Sequence, residues 1–153
     1  MSSKTTTQTL EDALLEVGNR RQLDSYLKNL APKEAPASFE AYYFRLDKVK
    51  KMTTAELQRK SGIERSYLGH LRENAKRPGR NKVIALCLAA ELSVDETQHA
   101  LLAAGRSTLY ARNRRDAILL HCIEKHLGVN EANDLLDDYR LATLSARDEG
   151  AGR

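Results

Sequence analysis

At 153 residues, with a net charge of +4, 5% aromatic residues and no Trp, the chain is long enough for one domain with a core, or for a small domain with an appended module. Ala, Leu, Glu, Lys and Arg dominate and Pro numbers three, which is helical composition. No apolar run approaches the roughly 20 residues that span a bilayer, MSSKTTTQTLED lacks the apolar core of a secretory signal, and two Cys make no disulfide framework, so a cytoplasmic, reducing location is expected.

Residues 1–8 are polar and Thr-rich, an expected disordered tail. Leu10, Ala13, Leu14 and Val17 share one helical face, Gly18-Asn19 interrupts it, and Leu23, Tyr26, Leu27 and Leu30 resume the spacing. Two short helices, 10–17 and 20–30, are therefore predicted, followed by a linker, PKEAPAS. Periodicity leaves open whether they pack on the main domain or mediate self-association. Ser38 is expected to cap a helix from Phe39 to about Lys51, with Phe39, Tyr42, Tyr43, Leu46 and Val49 as its apolar stripe. At helical spacing these aromatics suit a core better than a base-stacking platform.

Met52-Thr53-Thr54-Ala55-Glu56-Leu57 is a dense helix-start signal: Thr53 and Glu56 form a capping box, and Met52 and Leu57 a hydrophobic staple. The helix should stop at Ser61, with Gly62 left-handed at a tight turn and Ile63 returning to the core. A second helix is predicted over Arg65–Asn74 with Leu68 and Leu71 inward, leaving Arg65, Ser66, Tyr67, Gly69, His70 and Arg72 outward. Arg pairs bidentately with guanine, and Ser, Tyr and His exchange hydrogen bonds with base edges or phosphates. Gly69 lets a backbone come close. Between Lys76 and Lys82 stand four cations in seven residues (Lys76, Arg77, Arg80 and Lys82), suited to gripping phosphates. From Arg45 to Lys82 there are 12 Lys/Arg against 4 Asp/Glu, whereas the remainder holds 13 against 17. A basic centre between mildly acidic flanks is the footprint of a polyanion-binding region.

The stretch TTAELQRKSGIERSYLGHLRENAKRP resembles the phage-repressor-like helix-turn-helix proteins, the XRE-type group of lambda repressor and Cro. The resemblance rests on Gly62 at the turn, on Leu57, Ile63, Leu68 and Leu71, and on the KRP step that follows. It implies a five-helix DNA-binding domain over about 38–105, within a segment bounded at 38–110. It also implies that Arg65, Ser66 and His70, with Tyr67 beside them, read bases. Thr54 then meets phosphate at a helix N-terminus, and Arg72, Lys76, Arg77, Arg80 and Lys82 hold the backbone. Dimers are common in this architecture and would require a pseudo-palindromic operator with half-sites about one turn apart. Two positions depart from the family pattern: Gln58 stands where a small residue is usual, and Glu64 where Ser often caps.

Behind this unit, 82–109 and 116–144 match at an offset of 35 residues: Cys87 on Cys122, Leu92 on Leu127, Val94 on Val129, Glu96 on Glu131, Leu101 on Leu136 and Leu109 on Leu144. Two stacked helical hairpins are expected, with Ser93 and Glu96 as a capping box and Asn130 capping the later copy. The second forms an added C-terminal hairpin over 111–146, before a frayed tail at 147–153. The joining segment carries Arg112, Arg114 and Arg115, which can bind phosphate or pair with Asp134, Asp137 and Asp138, the latter being favoured. Cys87 and Cys122 fit core thiols. Cys122, His121 and His126 complete no metal-ligand set. With no phosphate loop, nucleophile elbow or paired-carboxylate pocket, neither an enzyme nor a cofactor is expected. The expectation is thus an all-α, sequence-specific regulator of transcription that binds double-stranded DNA, with no membrane association. The alternative is a protein-interaction adaptor whose helix-turn-helix is structural and whose C-terminal hairpin binds a protein partner.

Overall fold

A computed structural model describes residues 38–73 and 77–145, all within the second of two units into which the chain divides, Ala37–Arg153. The two helices expected at 10–17 and 20–30, Lys76, and the tail from 146 onward lie outside the described residues. The described residues form eight helices and no strand. In chain order they are α1 (Phe39–Tyr43), α2 (Asp47–Lys50), α3 (Thr54–Ser61), α4 (Arg65–Arg72), α5 (Arg80–Ala89), α6 (Val94–Ala103), α7 (Arg114–Glu124) and α8 (Val129–Asp138). None is long and apolar enough to cross a membrane.

The single helix expected over 39–51 is two. Phe44-Arg45-Leu46 breaks it, with Leu46 extended at φ −67°, ψ 136° and its carbonyl accepting from Val49 and Lys50 N–H to start α2. The break lets two non-aligned apolar faces reach the core. Tyr43 is buried, stacked on Phe39 at 5.1 Å and donating its hydroxyl to Leu86 O at 2.7 Å, while Val49 is buried from the redirected α2. Ser38 stands at the N-cap of α1, but its side chain makes no capping bond.

The capping box before α3 forms as expected. Glu56 N–H donates to Thr53 Oγ1 at 3.1 Å, and Thr53 N–H donates to Glu56 Oε1 at 3.0 Å, holding the Glu56 carboxyl below its ordinary value. At the other end Gly62 is left-handed at φ +76°, with its N–H on Gln58 O at 2.9 Å. The buried Ser61 hydroxyl donates to Leu57 O at 2.6 Å and accepts from Ile63 N–H at 3.1 Å, so one side chain satisfies both sides of the turn. The helix after the turn is shorter than expected. It ends at Arg72, with Glu73 as its C-cap.

Helix α5 is the axis of the core. Eight of its ten residues are buried, Asn81 and Val83 through Ala89, and it packs against α3, α6, α7 and α8. The two hairpins, α5–α6 and α7–α8, repeat each other's helix-end and loop hydrogen bonds at the 35-residue offset. Leu92 N–H meets Cys87 O as Leu127 N–H meets Cys122 O, with Glu91 and His126 left-handed between them. Arg106 N–H meets Leu101 O as Leu141 N–H meets Leu136 O, with left-handed Gly105 matching Arg140. Gln98 Oε1 accepts from Leu109 N–H at 2.7 Å, and Asn133 Oδ1 from Leu144 N–H at 2.8 Å.

The caps diverge between copies. Ser93 and Glu96 complete a capping box before α6. The residue equivalent to Ser93 is Gly128, so only the Glu131 carboxylate remains, accepting from Gly128 N–H at 3.0 Å. Asn130 is therefore not the cap expected of it. It lies one residue inside α8, exposed.

Candidate nucleic-acid interface

On α4 the buried pair Leu68 and Leu71 fixes which side faces the core. The opposite side carries Arg65, Ser66 and His70, all exposed. A Cβ built at Gly69 would meet nothing within 4 Å, so that stretch of the helix surface is open. Tyr67 is only half-exposed: it packs against the core, and the Lys82 ammonium lies 5.4 Å from its ring centroid. Arg72 is exposed, and its guanidinium lies 4.3 Å from the centroid of the Phe44 ring. Thr54, one residue inside the α3 cap, is half-buried. Glu64 precedes α4 and makes no side-chain cap bond.

The cations expected to grip phosphate divide into two groups. Arg77 donates from Nε to Ala104 O at 3.0 Å and from a terminal nitrogen to Gly105 O at 3.1 Å. A Cβ at Gly105 would collide with that guanidinium. In return Arg106 Nε donates to Pro78 O at 3.0 Å, so two arginines tie the loop before α5 to the end of α6. Arg80 forms a bidentate pair with Asp116 at 3.0 and 2.9 Å and donates to Ser107 O and Thr108 O at 2.9 and 2.8 Å. Asp116, at 7% side-chain exposure, also accepts from Tyr110 N–H. Both guanidiniums donate within the molecule, Arg77 from an exposed position to the end of α6 and Arg80 to the loop beyond it.

Arg115 repeats Arg80. Nε donates to Ala142 O at 2.8 Å, and a terminal nitrogen donates to Thr143 O at 3.2 Å and to Asn81 Oδ1 at 2.9 Å. Within the joining segment, Arg115 thus donates inside the molecule, and these three bonds go to carbonyls and an amide. Arg114 lies 5.8 Å from the Tyr139 ring centroid.

Beside α4 opens a cleft of about 520 Å³ between the α3–α4 turn and the N-terminal part of α8. Arg59, Lys60 and Lys82 line it, with Glu64 as its acidic residue, and Asn130 and Asn133 form the far wall. Composition counted Arg59 and Lys60 only as part of the basic centre, and nothing in the sequence placed Asn130 opposite them. The thiols take no part: Cys87 is fully buried, and burial pushes it up to about 12; burial raises Cys122 as well.

Comparison of the chain with protein-family models, with curated proteins and with solved structures finds no match.

Proposed function

We propose that the chain is a sequence-specific double-stranded DNA-binding regulator, in which α3, the Gly62 turn and α4 act as a helix-turn-helix and α4 enters the major groove. One observation carries this reading: the side of α4 opposite Leu68 and Leu71 is open and presents Arg65, Ser66 and His70, with no bulk at Gly69. Arg65 is the residue assigned to a guanine edge, Ser66 and His70 to neighbouring edges or phosphates. Tyr67, held against the core beneath Lys82, shapes the rim of that surface. No chemistry beyond binding is assigned to it.

A protein-interaction adaptor is the second reading, favoured by Arg77 and Arg80 having donors already engaged within the molecule. The two separate in one experiment. Wild type and Arg65→Ala are each used to select duplexes from a random library at low salt, and the enriched sequences are compared. A DNA reader enriches a motif, and Arg65→Ala relaxes it at one base pair, at a cost of about 1–3 kcal/mol. If wild type enriches nothing, α4 does not read DNA and the adaptor remains.

A further inference from the structure

We propose that the cleft between the α3–α4 turn and α8 is a phosphate-binding site, walled on one side by Arg59, Lys60 and Lys82 and on the other by the second hairpin through Asn130. The assignment begins with the cations nearest the turn and with which of them are held elsewhere. Arg77 and Arg80 donate to carbonyls and a buried carboxylate, and Arg72 lies over Phe44. Arg59 and Lys60 are exposed and have no hydrogen-bond or ion-pair partner among the described residues; both lie within the electrostatic reach of Glu56. Both line the cleft, where with Lys82 they face a single carboxylate, Glu64; they also border a neighbouring opening toward Glu91 and Glu131.

The opposing wall suits the same ligand. Asn130 is exposed, has no hydrogen-bond partner among the described residues, and offers an amide donor. At about 520 Å³ the cleft is too small for a duplex and suits a backbone phosphate with its sugars, or one small phosphate-bearing molecule. The shared chemistry is a phosphate, and the nearer source is the DNA strand continuing past α4. In that form the inference rests on the DNA reading above. It gives the second hairpin a role, because a strand leaving α4 over the turn would be gripped from both sides.

The test uses the full chain and three variants: Arg59→Ala/Lys60→Ala, Lys82→Ala and Asn130→Asp. Asn130→Asp is chosen because a carboxylate in the first turn of α8 favours the helix while opposing phosphate across the cleft. Duplex affinity is measured against salt, and backbone amide shifts are followed during titration with inorganic pyrophosphate. The expected result is a log–log salt slope lower by about two units in the double variant and about one in Lys82→Ala. Asn130→Asp should weaken binding severalfold with thermal stability unchanged or raised, and the enriched motif should be unaltered in all three. If wild type binds no duplex, the DNA reading fails alone, and saturable pyrophosphate shifts at Asn130 and Lys60, abolished by the double variant, assign the cleft to a soluble phosphate compound. Unchanged salt slopes together with no saturable shift overturn the proposal.

Discussion

Arginine side chains settle more of this molecule than their charge suggests. Arg77, Arg80 and Arg115 each aim a planar fork of donors at two carbonyls 27 and 28 residues away in sequence, and Arg106 reaches one, 28 residues back. The acceptors lie at the end of α6, in the loops after α6 and α8, and just before α5, and a guanidinium can satisfy two carbonyls at once with fixed geometry. Arg80 goes further by neutralising Asp116, which is nearly enclosed. Removing it leaves a carboxylate without its counter-charge, so Arg80→Ala should destabilise by about 2–4 kcal/mol. Arg80→Lys should recover only part of that, because an ammonium cannot fork across two oxygens and two carbonyls. Urea unfolding of both variants checks the order. An Arg80→Ala protein as stable as wild type would show that the clasp contributes nothing to folding.

Helix by helix, the sequence was legible wherever the determining partners are neighbours. Thr53 and Glu56, or Ser93 and Glu96, name their own bonds three residues apart, and the left-handed Gly62 is marked by its residue type. The break at Phe44–Leu46 was not, since Phe39, Tyr42, Tyr43, Leu46 and Val49 satisfy one continuous helical stripe. Only the docking of Tyr43 on Leu86, 43 residues away, decides against it. The acceptors of Arg77 and Arg80 were hidden for the same reason, being backbone atoms that any residue supplies. A signal did exist: Arg80 and Arg115 sit at the same repeat offset as the cysteines, which favours a shared structural duty. The two glycines near the turn make opposite predictions. Gly62→Ala has room for its Cβ but must hold a left-handed φ, so it should cost about 1–2 kcal/mol. Gly69→Ala, in a helix with open space beside it, should stabilise by up to about 1 kcal/mol while weakening duplex binding if α4 lies in a groove. Chemical denaturation paired with a binding isotherm on each variant measures both signs.

At the scale of the whole described unit, duplication has produced two hairpins that hold each other. Arg80 of the first reaches Asp116 of the second, and Arg115 of the second reaches Asn81 of the first. The copies differ on their outer face. Buried Leu86, Ala89 and Ala90 of α5 and its cap become exposed His121, Glu124 and Lys125. A repeat whose outer side has turned polar closes the stack and offers no further hairpin a surface to bury. Closure of this kind, with ion pairing across the join, predicts that the hairpins unfold together. Leu136, fully enclosed in α8, is the place to perturb it. Leu136→Ala should cost about 2–5 kcal/mol, and the loss should be felt at Cys87 as well as Cys122. Both thiols are free and buried in the folded protein, so the labelling rate of each by a thiol reagent reports its own hairpin's opening. In a coupled unit the variant raises both rates by the same factor. Faster labelling of Cys122 with Cys87 still protected would mean that α7–α8 opens by itself, and the second wall of the phosphate cleft would then be a mobile flap rather than a fixed surface.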